Sequence, residues 1–148
     1  MNFDLRELYQ EIIIDHNRNP RNHHPMANPS SQAEGYNPMC GDKLSVYLKL
    51  EKDKVQDISF VGCGCAISQA SASLMTEALK GKTVREAQEL FHRFHQLVTT
   101  DDEQTVSLDK LAVLAGVRAF PARVKCATLA WHTFEAALKK EPVTVTTE

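Results

Sequence analysis

Four cysteines and one aspartate are the residues of this chain best suited to chemistry. Cys40 lies in Asn37-Pro38-Met39-Cys40-Gly41-Asp42, Cys63 and Cys65 in Gly62-Cys63-Gly64-Cys65, and Cys126 in Arg123-Val124-Lys125-Cys126. An isolated cysteine usually behaves as a small buried apolar residue. Here three cysteine sites, far apart in the chain and flanked by glycine or turn residues, have an acidic residue two positions after the first. That pattern reads as thiolates gathered around a metal. Sulfur donors select zinc, copper(I) or an iron–sulfur centre. Three sulfurs leave a tetrahedral ion one ligand short, and Asp42, which a turn can point the same way as Cys40, is the candidate oxygen donor. A carboxylate is the hardest and most replaceable member of such a set, so the site reads as an exchangeable metal position. The alternatives are a permanent structural zinc and, for Asp42, a turn residue bonding its own backbone. Arg123 and Lys125 flank Cys126, where they offset the net negative charge of such a donor set.

The bulk properties narrow the setting. At 148 residues the chain suits one domain with its own core. It is 43% hydrophobic and 24% charged, ordinary for a globular protein. A formal net charge of −2 gives no electrostatic reason to expect nucleic acid or an anionic membrane as partner. The stretch from Met1 to Glu7 lacks the basic and then apolar regions of a secretory signal. No apolar run approaches the roughly 20 residues that span a bilayer. These features point to the cytoplasm, where a cysteine cluster is metal-binding or redox-active rather than disulfide-bonded.

The elements that must position the cysteines follow from periodicity and capping. Asp4-Leu5-Arg6-Glu7 has the spacing of a capping box, and Leu5, Leu8 and Ile12, with Tyr9 and Ile13 beside them, predict an amphipathic helix ending before Pro20. Asn17 to Pro38 has almost no periodic apolar pattern and reads as a loop leading to Cys40. Leu44, Val46, Leu48 and Leu50 alternate with polar residues, Glu51 to Lys54 is a charged turn, and Gln56 to Val61 turns Ile58 and Phe60 inward. This hairpin is marginal alone, so a third short strand and covering helices are expected. After Cys65 the period becomes helical through Ile67, Ala70, Ser71, Leu74 and Ala78, with Gly81 as its C′ residue. Thr83-Val84-Arg85-Glu86 is a second capping box that opens the next helix. Thr99 to Gln104 reads as loop, and Ser107 to Ala115 as a short helix closed by Gly116. Val124 to Lys140 is the last helix, with Ala127, Ala130, Trp131, Phe134 and Leu138 on its core face, and Glu141 to Glu148 is expected to fray. The sum is one α+β domain over residues 1–148, a small antiparallel sheet of about three strands packed against several helices.

Placed on these elements, Cys65 opens the helix that begins near Ala66, and Cys126 falls in the first turn of the last helix. Both positions favour thiolate through the partial positive charge of a helix N-terminus. Cys40 sits in a loop between Pro38 and Gly41 with its sulfur exposed, and Gly62 and Gly64 free the backbone around Cys63. His92 and His95 read as surface residues. His132 lies about 240° round the helix from Cys126, off its face. The Ser/Ala-rich stretch from Ser68 to Ser73 reads as a face for close helix packing, and His16, His23 and His24 show no role beyond helix end and loop.

Together these segments resemble the U-type iron–sulfur assembly family, with its IscU and SufU branches, along nearly the full chain. The resemblance is carried by Asp15-His16, Asn19-Pro20-Arg21-Asn22, Cys40-Gly41-Asp42, Gly62-Cys63-Gly64-Cys65-Ala66-Ile67-Ser68 with Ser71-Ala72-Ser73, Gly81-Lys82-Thr83 and Arg123-Val124-Lys125-Cys126. Lys125 stands where the IscU branch carries a histidine, and the span from Gly81 to Cys126 is longer by a short helix and loop, Phe94 to Gly116; both features resemble the SufU branch. That resemblance implies a SufE/NifU-like fold and a zinc ion held by Cys40, Asp42, Cys65 and Cys126. It also implies that Cys40 accepts persulfide sulfur from a pyridoxal-phosphate cysteine desulfurase of the SufS kind. The recipients would be apo iron–sulfur proteins or a downstream Suf scaffold, with neither nucleic acid nor membrane as partner. In this reading the protein is an accessory sulfurtransferase rather than a free-standing enzyme, and Arg123 stabilises the thiolate-rich site with Lys125 and Cys63 beside it. Resemblance to the IscU branch would instead imply a scaffold on which a [2Fe–2S] cluster is built and handed on. Aligned without gaps, the IscU cysteine falls on Cys63 and the SufU cysteine on Cys65; Cys65 is the favoured ligand, and both remain candidates.

Overall fold

Residues 5–99, 111, 113, 114, 117, 120–140 and 145–146 are described in the computed structural model. They form helix α1 (Leu5–Arg18), strands β1 (Ser31–Asn37), β2 (Asp42–Glu51) and β3 (Lys54–Cys63), helices α2 (Ala66–Leu79), α3 (Val84–Thr99) and α4 (Pro121–Leu138), and a short strand β4 (Val145–Thr146). The expected hairpin is β2 and β3, paired antiparallel from Lys43↔Cys63 to Glu51↔Lys54. Lys52 and Asp53 both have positive φ at its tip, the two-residue turn whose twist matches the strands. Leu44, Val46 and Leu48 on β2 and Ile58 and Phe60 on β3 are buried on one face, as their alternation predicts.

The third strand lies where a loop is expected. β1 pairs antiparallel with β2 from Ser31↔Leu48 to Asn37↔Asp42, which corrects the reading of residues 17–38 as loop. Its inward row is Ala33, Gly35 and Asn37, an alternation of small and polar residues that carries no apolar signal. The row is small because α4 lies directly on it: a β-carbon at Gly35 would run into Thr133 Oγ1 and the Leu129 side chain. Within the tail expected to fray, Val145–Thr146 instead pair parallel with β1, giving the sheet order β3-β2-β1-β4. The rest of that tail lies outside the described residues.

Helices α2 and α4 cover the apolar face of the sheet, with α1 against α2 and α3 against α4. α2 is buried nearly all round, at Ser68, at every residue from Ala70 to Thr76 and at Leu79, a broader surface than its predicted stripe. Its small residues let α4 approach, and Ser71 bridges the two by donating to the Ala127 carbonyl and accepting from Trp131 Nε1 at 3.2 Å. The helix ends at Lys80, followed by Gly81 at φ 85°. Thr83 and Glu86 then exchange the two capping-box hydrogen bonds, at 3.0 and 3.1 Å. Phe94 stacks on Trp131 at 4.5 Å, and Leu111, Val113, Leu114 and Val117 are buried in the same core. The remainder of the expected 107–115 helix, the 100–104 loop and the first capping box lie outside the described residues.

α4 begins at Pro121 with Phe120 as its cap residue, three positions before the expected Val124. Proline at the first helical position loses no hydrogen bond, which makes it a start signal. Cys126 is therefore the sixth residue of α4, in its second turn, rather than in the first turn as expected. Among the described residues, no helix is long and apolar enough to cross a membrane.

Candidate metal centre

At one end of the sheet β1 finishes, β2 begins and β3 finishes, and α2 starts three residues beyond β3. The antiparallel register therefore sets Asn37 opposite Asp42, and Cys63 opposite Lys43, at this edge. The second turn of α4 passes the same place. The result is that one donor atom each from Cys40, Asp42 and Cys126 lie within 4.8 Å of one another. The thiol of Cys126 is 3.2 Å from the Cys40 sulfur, and all four cysteines are free thiols. Asp42 and Cys126 are buried, and Cys40 is half-buried at the mouth.

The buried carboxylate is built in by its neighbours. A β-carbon on residue 64 would stand 2.6 Å from Asp42 Oδ1, so Gly64 provides the room. The next amide, the N–H of Cys65, donates to the same Oδ1 at 2.8 Å, and Asn37 Nδ2 donates to Oδ2 at 3.3 Å. Burying a carboxylate is costly unless its charge is met, and these two donors are neutral. Two sulfurs and this oxygen, converging with one member open to the outside, fit a borderline-soft divalent cation such as zinc.

Cys65 and the cations stand around that trio. Cys65 caps α2, its sulfur accepting from the Ser68 N–H at 3.4 Å, as its predicted place at the helix start requires. Its sulfur is not among the three mutually close donors, yet it abuts them. Burial pushes the Cys126 thiol well above its ordinary value, and hydrogen bonds with Cys40, Asp42 and Cys65 push the same way, as does the charge of Cys65. This corrects the expectation that the helix terminus lowers it, because the dipole acts within the first turn and Cys126 lies beyond it. Exposed Arg123 is held above its ordinary value first by the charge of Cys65, then by a hydrogen bond with Cys126 and the charges of Cys126 and Cys40. Lys125 Nζ lies 4.0 Å from Met39 Sδ on the rim. Cys63 is exposed and lies outside the trio.

Residues 8–143 match the NifU-like N-terminal domain family. The chain belongs to that family. It is 41% identical to the zinc-dependent sulfurtransferase SufU of Bacillus subtilis (strain 168), over 95% of each chain. It is 39% identical to the iron–sulfur cluster assembly scaffold protein IscU of Streptococcus pyogenes serotype M1, over 92% of this chain and 86% of that one. The crystal structure of a candidate iron–sulfur cluster assembly scaffold for the SUF system from Fervidobacterium islandicum AW-1 matches with a TM-score of 0.80 and 35% identity, over 91% of this chain and 99% of that one. The α+β fold expected from the sequence is the fold of this NifU-like family.

One residue of this NifU-like site escapes sequence reasoning. Asn37 falls in the stretch that reads as loop, but it is fully buried beside Asp42 and Cys126. The one signal for it is its place three residues before Cys40, at the end of a strand that the apolar pattern does not show.

Proposed function

We propose that this chain is a SufU-like sulfur-transfer protein of iron–sulfur cluster assembly, holding zinc through Cys40, Asp42, Cys65 and Cys126. In this reading Cys40 takes sulfur from a pyridoxal-phosphate cysteine desulfurase, in the cytoplasm, for passage to apo iron–sulfur proteins or a downstream scaffold. The observation that carries it is the convergence of Cys40, Asp42 and Cys126 with Cys40 alone half-open to the outside. Bound zinc would keep the sulfurs as thiolates and offset the charge of buried Asp42.

The residues perform the transfer as follows. The Cys40 thiolate attacks the terminal sulfur of the partner's persulfide, and a new S–S bond forms on Cys40. The partner's own S–S bond breaks, and its cysteine departs as a thiolate with the bonding electron pair, as in thiol–disulfide exchange. Sulfur passes between two thiolates, so no external oxidant or reductant enters. Arg123 lies where its guanidinium stabilises anionic sulfur, and the Cys65 amide holds Asp42 in register with the thiols.

Purified protein is expected to carry about one zinc per chain and to accelerate a matching desulfurase, with a persulfide on Cys40. Cys40→Ser should abolish both the acceleration and that persulfide. Zinc-loaded protein that leaves the desulfurase rate unchanged would sink the reading. Anaerobic incubation with iron and sulfide that yields a transferable [2Fe–2S] chromophore would favour the scaffold role carried by the name of the 39% identical relative.

A further inference from the structure

Asn37 is a fully buried amide at the centre of the site, and the transfer just described gives it no part. Its Oδ1 accepts the Met39 N–H at 3.3 Å. That contact fixes which way the amide faces, because only the oxygen can accept. Both protons of Nδ2 then point at potential anions: one to Asp42 Oδ2 at 3.3 Å, the other to Cys126 Sγ at 3.5 Å. The amide sits at the end of β1, in register with Asp42, so the framework that holds it is a sheet ladder rather than a loop. Of the three converging donors, two are thus bonded to one fixed side chain. Asn37 reaches the third, Cys40, only through the backbone N–H of the residue before it.

We propose that Asn37 is the positioning residue that sorts the thiols: it holds Asp42 and Cys126 as fixed members of the set and leaves Cys40 as the one that departs and accepts sulfur. This rests on the zinc and sulfur-transfer reading above. An N–H bond to a sulfur draws charge from it and weakens it as a nucleophile, while the Cys40 sulfur receives no bond from Asn37. Without Asn37, buried Cys126 loses the bond that marks it as a ligand and competes as acceptor. The competing step has the same balance: the thiolate attacks a sulfane sulfur, one S–S bond forms on the cysteine, one breaks in the donor, and the shortened donor leaves as the anion.

The test uses zinc-loaded full-length protein, with Asn37→Leu to fill the space without donors and Asn37→Ala to empty it. Inorganic polysulfide serves as sulfur donor, so that no desulfurase is needed. Wild type should carry label on Cys40 and on exposed Cys63, which serves as the internal reference, and none on Cys126. The variants should bind zinc about 10- to 100-fold more weakly in competition with a chelator. They should also shift label from Cys40 to Cys126 while Cys63 labelling stays constant and Trp131 fluorescence remains native. A merely structural loosening would add label on Cys126 with no loss from Cys40, and that outcome overturns the proposal. Variants that bind zinc as wild type does, with Cys126 unlabelled, overturn it while leaving the zinc reading intact. Wild type that binds no zinc overturns both. If neither variant folds, the wild type alone decides: the Asn37 side-chain amide protons should exchange slowly in the zinc-loaded protein, and rapid exchange would overturn the assignment.

Discussion

Asp42 is accommodated from two directions, by N–H groups that reach its oxygens and by the missing side chain at residue 64. A β-carbon there would stand 2.6 Å from Oδ1 and 3.2 Å from both Cβ and Cγ of Asp42. Either the carboxylate would turn away or the Gly62–Cys65 segment would shift, taking the Cys65 N–H with it. Gly64→Ala is therefore expected to weaken zinc binding by about 10- to 100-fold although it alters no donor atom. Chelator competition measures this, and an unchanged affinity would mean that the carboxylate adjusts freely. The three residues that converge, Cys40, Asp42 and Cys126, were candidates from the sequence, because thiol and carboxylate chemistry is written in residue identity and the glycine- or turn-flanked spacing marks it. Asn37 was not legible, since its amide gains meaning only from Cys126, 89 positions away. Nor was the raised Cys126 thiol, which depends on burial that a helix-start argument does not see.

At the scale of elements, two histidines show what periodicity leaves unread. His16 carries α1 onto α2: its Nδ1 lies 2.7 Å from Ser73 Oγ and its Nε2 3.5 Å from Glu77 Oε1. Ser73 Oγ also accepts the Arg21 N–H at 2.8 Å, so this one hydroxyl joins α1, the segment after it and α2. The Asn19-Pro20-Arg21-Asn22 segment is tied down at the same place, with Asn22 Nδ2 donating to Thr76 Oγ1 at 3.0 Å. Between α3 and α4, His132 meets Phe91 edge-on at 5.2 Å and His95 at 6.0 Å. Burial lowers the His132 pKa, the charge of His95 adds to this, and Glu135 opposes it. The unfolded chain takes up that proton near pH 6.5 and the folded one resists it. Stability is therefore complete above that value and is lost as pH falls through it toward the lower folded value. The urea midpoint should drop between about pH 7.5 and about 5.5, and the slope should be shallower in His132→Phe; equal slopes would clear His132 as a source. The helices and the hairpin were readable from apolar period and capping boxes. β1 was not, because Ala33, Gly35 and Asn37 are chosen to fit under α4 rather than to bury apolar area, and the start of α4 moved because Pro121 is a helix start rather than a break.

At the scale of the whole molecule, the elements converge so that two members of the trio are buried and the Cys40 thiol stands half-open to the outside. Most large apolar side chains of the described residues are in the core, but Met39 and Phe120 are 66% and 63% exposed. Both belong to the segments that build the site: Met39 precedes Cys40, and Phe120 caps the helix that carries Arg123 and Cys126. Scattered exposed apolar residues are ordinary on a protein surface. Met39 next to Cys40 in the chain, Phe120 at the start of the helix that carries Cys126, and the cations Arg123 and Lys125 on that helix are side chains suited to another protein's surface, and sulfur transfer from a persulfide requires such an approach. A Met39→Glu, Phe120→Glu protein should accordingly lose about tenfold or more of its acceleration of the desulfurase, the loss expected for a central contact worth about 1.4 kcal/mol. Its zinc content and the labelling of Cys40 by polysulfide should stay at wild-type levels, because neither side chain is a donor and small anions need no docking surface. Loss of zinc in the double variant would instead make these residues part of the site's framework. Full acceleration with both charges in place would mean that the partner lands on a different face and that Cys40 is reached from elsewhere.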